Sequence, residues 1–384
     1  MNSSSQLHAR LAGFYFFYYA TVGAFMPYWS PYLETRGFTA AQMGVAYALM
    51  GVTRSIMPIA WGWWTDVTGR RIGTVRWAVI VSLILFLGIP FAESILMIGA
   101  LMVAYSLFWH ALLSQFEVIA INHLSLGGGD YSRVRLWGSV GFVVAVLGLG
   151  PILDSTGMLP LPWLVGALFA AMAVSSWLVP EAPQTQTATT DAPSILMVLR
   201  RPEVLALLAA CTLSQLSFAP YYNFFTLFLE KHHYTRGMAG FLWALAVLAE
   251  IGLFLVMGRV IAFWGARRLL MIVLVATAVR WTLTPLLVDS LPLLILLQLS
   301  HALTFGAYHS VAMYYVQKLF PGSLQGRGQA FYNAAAYGVG GVIGSLGSGY
   351  LWQHVSPEAT FFAAAGAALL GAVIAWRGIK ETTA

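Results

Sequence analysis

Seven side chains with acid–base or ion-binding chemistry interrupt stretches of this chain that are otherwise apolar: Arg54, Glu117, Arg135, Glu250, Arg280, His301 and His309. An ion at the centre of an apolar span costs at least ~2.5–3.5 kcal/mol, so such groups are expected to be paired and to carry function. Their types suit binding and proton exchange. A guanidinium offers a rigid fork that grips both oxygens of a carboxylate, which makes Arg135 a candidate anion site. Glu250 and the two imidazoles are the groups whose proton affinity burial or a neighbour tunes most readily. His301 and His309 are eight residues apart and share a helix face with Thr304, Phe305 and Tyr308. Tyr18, Tyr19, Trp29, Tyr221, Tyr222, Asn223 and Phe305 can form an aromatic wall with polar handles. Helix packing and an interfacial belt are competing jobs for each of them. His110 reads as a satisfied structural histidine.

Enzyme constellations are missing. The chain has no G-x-x-x-x-G-K-[ST] phosphate loop, no G-x-S-x-G elbow and no H-E-x-x-H pair. His232-His233 falls in a loop, and Cys211 is the single cysteine, which excludes an intrachain disulfide and a cysteine metal site. No catalytic residue, metal or cofactor is expected.

The elements that must position these groups follow from composition. Of 384 residues, 59% are apolar and only 9% charged, and the mean hydropathy is +0.76. A soluble domain carries about a quarter charged residues, so lipid must cover most of this surface. The net charge of +6 is no nucleic-acid footprint, because lysine occurs only at Lys231, Lys318 and Lys380 and no basic cluster exists. The first apolar run is longer than a signal-peptide core and lacks a cleavage site, so it is expected to be a membrane helix.

Apolar stretches long enough to span a bilayer fall at 11–33, 40–63, 73–92, 94–122, 134–153, 158–179, 203–229, 238–263, 269–288, 291–317, 327–352 and 359–378. The expected fold is all-α: twelve transmembrane helices in two six-helix bundles, 1–180 and 203–384, joined by a Thr/Pro/Gln-rich linker over 181–202. With the N-terminus inside, fifteen Lys and Arg residues lie on the inner side and three, Arg36, Lys231 and Arg236, on the outer side. That bias puts both termini in the cytoplasm.

The halves repeat at an offset of 196 residues, which aligns Gly62 with Gly258, Gly69 with Gly265, Gly44 with Gly240 and Thr39 with Thr235. Many secondary transporters consist of two such parallel halves with the substrate site between them. Arg54 lies twelve residues before Asp66. That distance is about 18 Å along the helix in a core of about 30 Å, so it sits near mid-depth. The same offset carries Arg54 onto Glu250. Opposite charges at equivalent depth suit a transport pathway, or a static pair that locks the halves. Gly340, Gly344 and Gly347 or Ser348 form a small-residue stripe for helix packing or sliding.

Gly62-x-x-x-Asp66-x-x-Gly69-Arg70-Arg71 resembles the signature loop of the major facilitator superfamily, with Val67 in place of the usual basic residue. In that family the loop gates transport; here it also fixes topology. Within the superfamily the chain resembles the branch that holds lactose permease and the phenylpropionate permeases. FYFFYYATVGAFMPYWSPYL, YSRVRLWGSVGF at 131–142, LAEIGLF, AVRW and QLSHALTFGAYHSVAMYY carry the likeness. The resemblance gives Glu117 and Arg135, eighteen residues apart, the role of substrate ligands. One more inside-loop anchor is the other reading of Arg135. It also matches Arg280 and His301 to the family's coupling group, but the family's coupling glutamate aligns with Thr304. If transport is proton-coupled, another group must titrate here, with Glu250 the best carboxylate and His301 or His309 the best imidazole for it. The phenylpropionate branch implies a proton-coupled symporter of a small aromatic carboxylate in the cell inner membrane, working as a monomer. The lactose branch implies a sugar, and nucleosides stay open.

Overall fold

The computed structural model describes residues 3–127, 130–181 and 195–379. Most of the expected linker and Lys380 lie outside these residues. The described chain is helical: α1 (Ser3–Phe25), α2 (Ala40–Thr68), α3 (Arg71–Leu87), α4 (Ile95–Gly127), α5 (Tyr131–Thr156), α6 (Leu161–Leu178), α7 (Pro202–Lys231), α8 (Arg236–Phe254), α9 (Ala266–Leu287), α10 (Leu291–Leu319), α11 (325–354) and α12 (Pro357–Gly378). Shorter helices occupy Trp29–Thr35, Ile195–Leu199 and Met257–Trp264. All but α1 and α11 are long and apolar enough, by composition, to cross a membrane. Tyrosines make α1 less apolar, and glycine, serine and the polar start QGRGQ do the same for α11, which also carries a wide-turned π segment, Ala334–Gly340. Two expected spans are broken. The first ends at Phe25, before a turn through Met26 and Pro27, and the eighth ends at Phe254 before resuming as Met257–Trp264.

Local chemistry explains the helix ends. Asp130 caps α5 by accepting from Ser132 N at 2.9 Å, and Ser356 caps α12 by accepting from Ala359 N at 3.1 Å. Thr39 and Gln42 form a reciprocal capping box at α2, 2.9 and 3.3 Å. At the equivalent start of α8, Thr235 accepts from Met238 N at 3.1 Å.

The repeat is written in the backbone as well. Gly69 and Gly265 both turn with positive φ, 68° and 73°, where glycine avoids the Cβ clash. Gly37 and His233, also 196 apart, have φ of 82° and 63°. At His233 a side chain holds this conformation at a cost of about 1–2 kcal/mol. Gly44 and Gly240 are both pressed against backbone: an added Cβ would stand 2.6 Å from Ser345 O and 2.2 Å from Val146 O, respectively.

Two compact units form. The first comprises Met1–Phe38, Val52–Thr187 and Tyr234–Ala244; the second comprises Thr39–Gly51, Ala188–His233 and Leu245–Ala384. Each is dominated by one half of the sequence and takes in one short stretch of the other. The first unit is cored by rings, with Phe86 within 5.2–5.4 Å of Trp29, Tyr105 and Phe169. There, Asp154 accepts from Arg236 N and Gly237 N at 2.8 and 2.9 Å. The second unit packs Leu207, Leu270, Leu274, Tyr308 and Tyr315. In it, Gly340 and Gly344 of the small-residue stripe let α11 approach α7, where an added Cβ would meet Thr212 O at 2.4 Å and Leu216 O at 2.7 Å. Large apolar side chains such as Trp63, Trp77, Leu96, Leu255 and Phe263 remain exposed, as lipid contact requires.

Candidate functional site

In the first unit, α1, α4 and α5 bring Tyr15, Tyr19, Glu117, Tyr131 and Arg135 together. Tyr131 and Arg135 are one helical turn apart and share a face. Glu117 and Arg135, the two ligands that the resemblance implies, do not pair directly with each other. Arg135 Nη2 instead donates to the Tyr19 hydroxyl, and its guanidinium carbon lies 4.0 Å from the Tyr19 ring centre and 5.6 Å from that of Tyr15. Glu117 accepts from the Tyr131 hydroxyl at 3.4 Å. The acid and the base thus each hold a phenol, and Arg135 stays half-buried. Tyr18 stacks flat on Trp109, 4.7 Å apart and 6° between planes, and meets the Tyr19 ring edge-on at 5.1 Å.

Arg54 belongs to this unit and its side chain is exposed. Its neighbour Thr53 bonds His110 Nδ1 at 2.9 Å and Ser106 at 2.8 Å, which gives one ring nitrogen of His110 a partner. At the loop between α2 and α3, Arg71 pairs with Asp66. Gln115 of α4 accepts from Arg71 Nη1 and from Thr65, both at 2.8 Å. Gly62 O accepts from Thr65 at 2.9 Å, Gly69 supplies the turn, and Arg70 precedes the first residue of α3. The loop is therefore tied down by an ion pair and a buried amide, an arrangement fit for a latch.

The second unit holds the other charged cluster. Arg280 on α9 is 1% exposed. Its Nη1 donates to His301 Nδ1 at 2.9 Å and to Thr304 at 3.0 Å, and its Nη2 donates to Gln298 at 3.2 Å. Tyr221 donates to the same Gln298 oxygen at 3.1 Å, and the guanidinium lies over the Tyr221 and Trp281 rings at 4.8 and 4.5 Å. Arginine can only donate, so His301 Nδ1 accepts, and in the neutral ring the proton sits on Nε2. That nitrogen is 3.7 Å from Glu250 Oε2. The chain of contacts runs Gln298–Arg280–His301–Glu250.

The backbone of α10 shapes this cluster. Residues Ala302–Ala307 form a π turn, a feature that recurs at functional sites. In a regular helix, residues four apart drift by about 40°; the wider turn swings them back. His301, Phe305 and His309 consequently stack in one column, at 5.2 Å and 7°, then 6.3 Å and 14°. Gly306 leaves room for the carboxylate arm, since a Cβ there would stand 3.0 Å from Glu250 Cγ. Tyr222 meets Phe305 edge-on at 6.3 Å, and Asn223 donates to Ser345 at 2.9 Å.

Sequence reasoning overlooked Tyr131, Gly138, Gln115 and Gln298. Tyr131 and Gln298 stand four and three residues before Arg135 and His301, so helical spacing alone could have flagged both. Gln115 carries no such signal.

With this geometry in place, comparison with known proteins is decisive for the family. The model of the MFS_1 like family matches residues 8–363. The chain belongs to that family. It is 28% identical over 345 residues to a probable 3-phenylpropionic acid transporter of Escherichia coli (strain K12), covering 89% of this chain and 90% of that protein. It is 25% identical over 348 residues to a maltose permease of Geobacillus stearothermophilus, covering 88% and 87% of the two chains. The crystal structure of the nucleoside transporter NupG superposes with a TM-score of 0.85 at 17% identity, covering 100% of both chains. The architecture is the twelve-helix major facilitator fold. The protein is a multi-pass membrane protein and a secondary transporter, and its relatives are transporters rather than enzymes.

Proposed function

We propose that this family member carries a small aromatic carboxylate, similar to phenylpropionate, into the cell together with a proton by alternating access. The observation that carries the reading is Arg135. It is a half-buried guanidinium on an aromatic bed, held by a neutral phenol instead of a carboxylate. A carboxylate entering a site of low dielectric must exchange its water for fixed donors, and a guanidinium fork meets that need. The E. coli relative named for 3-phenylpropionic acid fits the same class.

The proton is assigned to Glu250. Arg280 keeps His301 Nδ1 as an acceptor, so protonating His301 would set two donors face to face. Glu250 faces the remaining His301 nitrogen and can gain or lose a proton without that conflict. We place the alternating halves at 1–180 and 203–384, both termini in the cytoplasm, in the inner membrane, with a single chain as the working unit. Arg54, Tyr18, Tyr221, Tyr222, Asn223 and Phe305 are proposed to line the path, with His309 beside the coupling group and Gly62, Asp66, Gly69, Arg70 and Arg71 as the gate.

The test is counterflow in proteoliposomes with 3-phenylpropionate, maltose and a nucleoside. Exchange of the aromatic acid alone is expected. Exchange of maltose or the nucleoside without the acid overturns the substrate class.

A further inference from the structure

The groups around Arg135 give a specific role to Tyr19, one member of the expected aromatic wall, and to Gly138. Tyr19 accepts from the guanidinium and also lies beneath it, with the ring centre 4.0 Å from the guanidinium carbon. The ring cannot easily leave, because Tyr18, locked on Trp109, backs its edge at 5.1 Å. Gly138, one turn after Arg135, completes the arrangement. A Cβ there would stand 2.6 Å from Tyr19 Cδ2 and 2.8 Å from Arg135 Nη1, closer than atoms can approach. The missing side chain is the space that the arginine and the tyrosine fill.

We propose that Tyr19 is a specificity-determining residue: its hydroxyl is the resident partner of Arg135, which a substrate carboxylate displaces and a neutral hydroxyl ligand does not. The argument is one of exchange. A charge-assisted bond from guanidinium to carboxylate is about twice as strong as one to a neutral acceptor. An incoming carboxylate gains by displacing the phenol, whereas an alcohol or sugar hydroxyl only replaces like with like. Gly138 is a positioning residue, since it lets the guanidinium lie against Tyr19 in the empty site. This inference rests on the reading of Arg135 as the anion site.

Two measurements on the purified full-length protein separate the inference from that reading. The first needs no substrate: the rate at which phenylglyoxal modifies Arg135, followed by mass spectrometry of its peptide. Tyr19→Phe keeps the ring and removes the acceptor, and Gly138→Ala pushes the two side chains apart. Both should speed modification, Tyr19→Phe by about tenfold if the lost bond is that of a charged donor. Wild-type rates in both variants overturn the resident-partner role. The second is binding of 3-phenylpropionate and of 3-phenylpropanol, its neutral counterpart in shape. Wild type should bind the acid and reject the alcohol, and Tyr19→Phe should bind both. An alcohol still rejected by Tyr19→Phe overturns the specificity role. A wild type that binds neither ligand, with faster modification in the variants, refutes the substrate class while leaving the Tyr19–Arg135 contact standing.

Discussion

Arg135 and Arg280 both sit on helices long and apolar enough to span a membrane, and their surroundings differ sharply. Arg135 is half-buried and makes one side-chain hydrogen bond, to a phenol on another helix. Arg280 is buried against two rings and donates to His301, Thr304 and Gln298. Its Nε finds no acceptor among the described residues. On the proposed reading one guanidinium has a replaceable partner, while the other is a strut that dictates the tautomer of its neighbour. Charge alone does not mark a ligand site; the exchangeability of the partner does. The same contrast applies to the acids. Glu117 rests against the Tyr131 hydroxyl and Glu250 faces an imidazole, so the second carboxylate is the one beside a side chain of the type that exchanges protons near neutral pH.

This contrast can be broken most severely at Arg280. Arg280→Gln should strip three hydrogen bonds and two ring contacts from a sealed site. A loss of roughly 3–5 kcal/mol is expected, seen as a large drop in thermal stability in detergent. A variant as stable as the parent would show that Arg280 is no strut. Next comes Glu250→Gln, which keeps shape but cannot cycle a proton. Uphill uptake driven by a pH gradient should vanish while counterflow persists, and full pH-driven accumulation would remove Glu250 from the coupling step. The smallest effect is expected at Glu117→Gln. Because Glu117 does not grip Arg135, aromatic acid binding should change by less than about threefold, under 1 kcal/mol. A loss as severe as that of an Arg135 variant would point to a sugar-like ligand held by both residues.

The repeat and its consequences were legible from Thr39, Gly44 and Gly69 against Thr235, Gly240 and Gly265, because caps, close approaches and left-handed turns each demand a residue type at a fixed place. The charged residues were legible because apolar spans make any ion conspicuous. Partner choice was not. Arg135 and Tyr19 are 116 residues apart, and no periodicity links them. Arg135 offered Glu117 as the obvious counter-ion, yet helix placement gave that acid to Tyr131. The π turn at Ala302–Ala307 was equally hidden, since no residue type in QLSHALTFGAYHS marks it.

The account turns on Arg135 as the exchangeable anion site, and the most direct test is the Kd of 3-phenylpropionate for Arg135→Lys against the parent. Lysine keeps the charge and loses the fork. The loss expected is about 2–3 kcal/mol, a thirty- to hundredfold weaker Kd. An unchanged Kd would contradict the central claim.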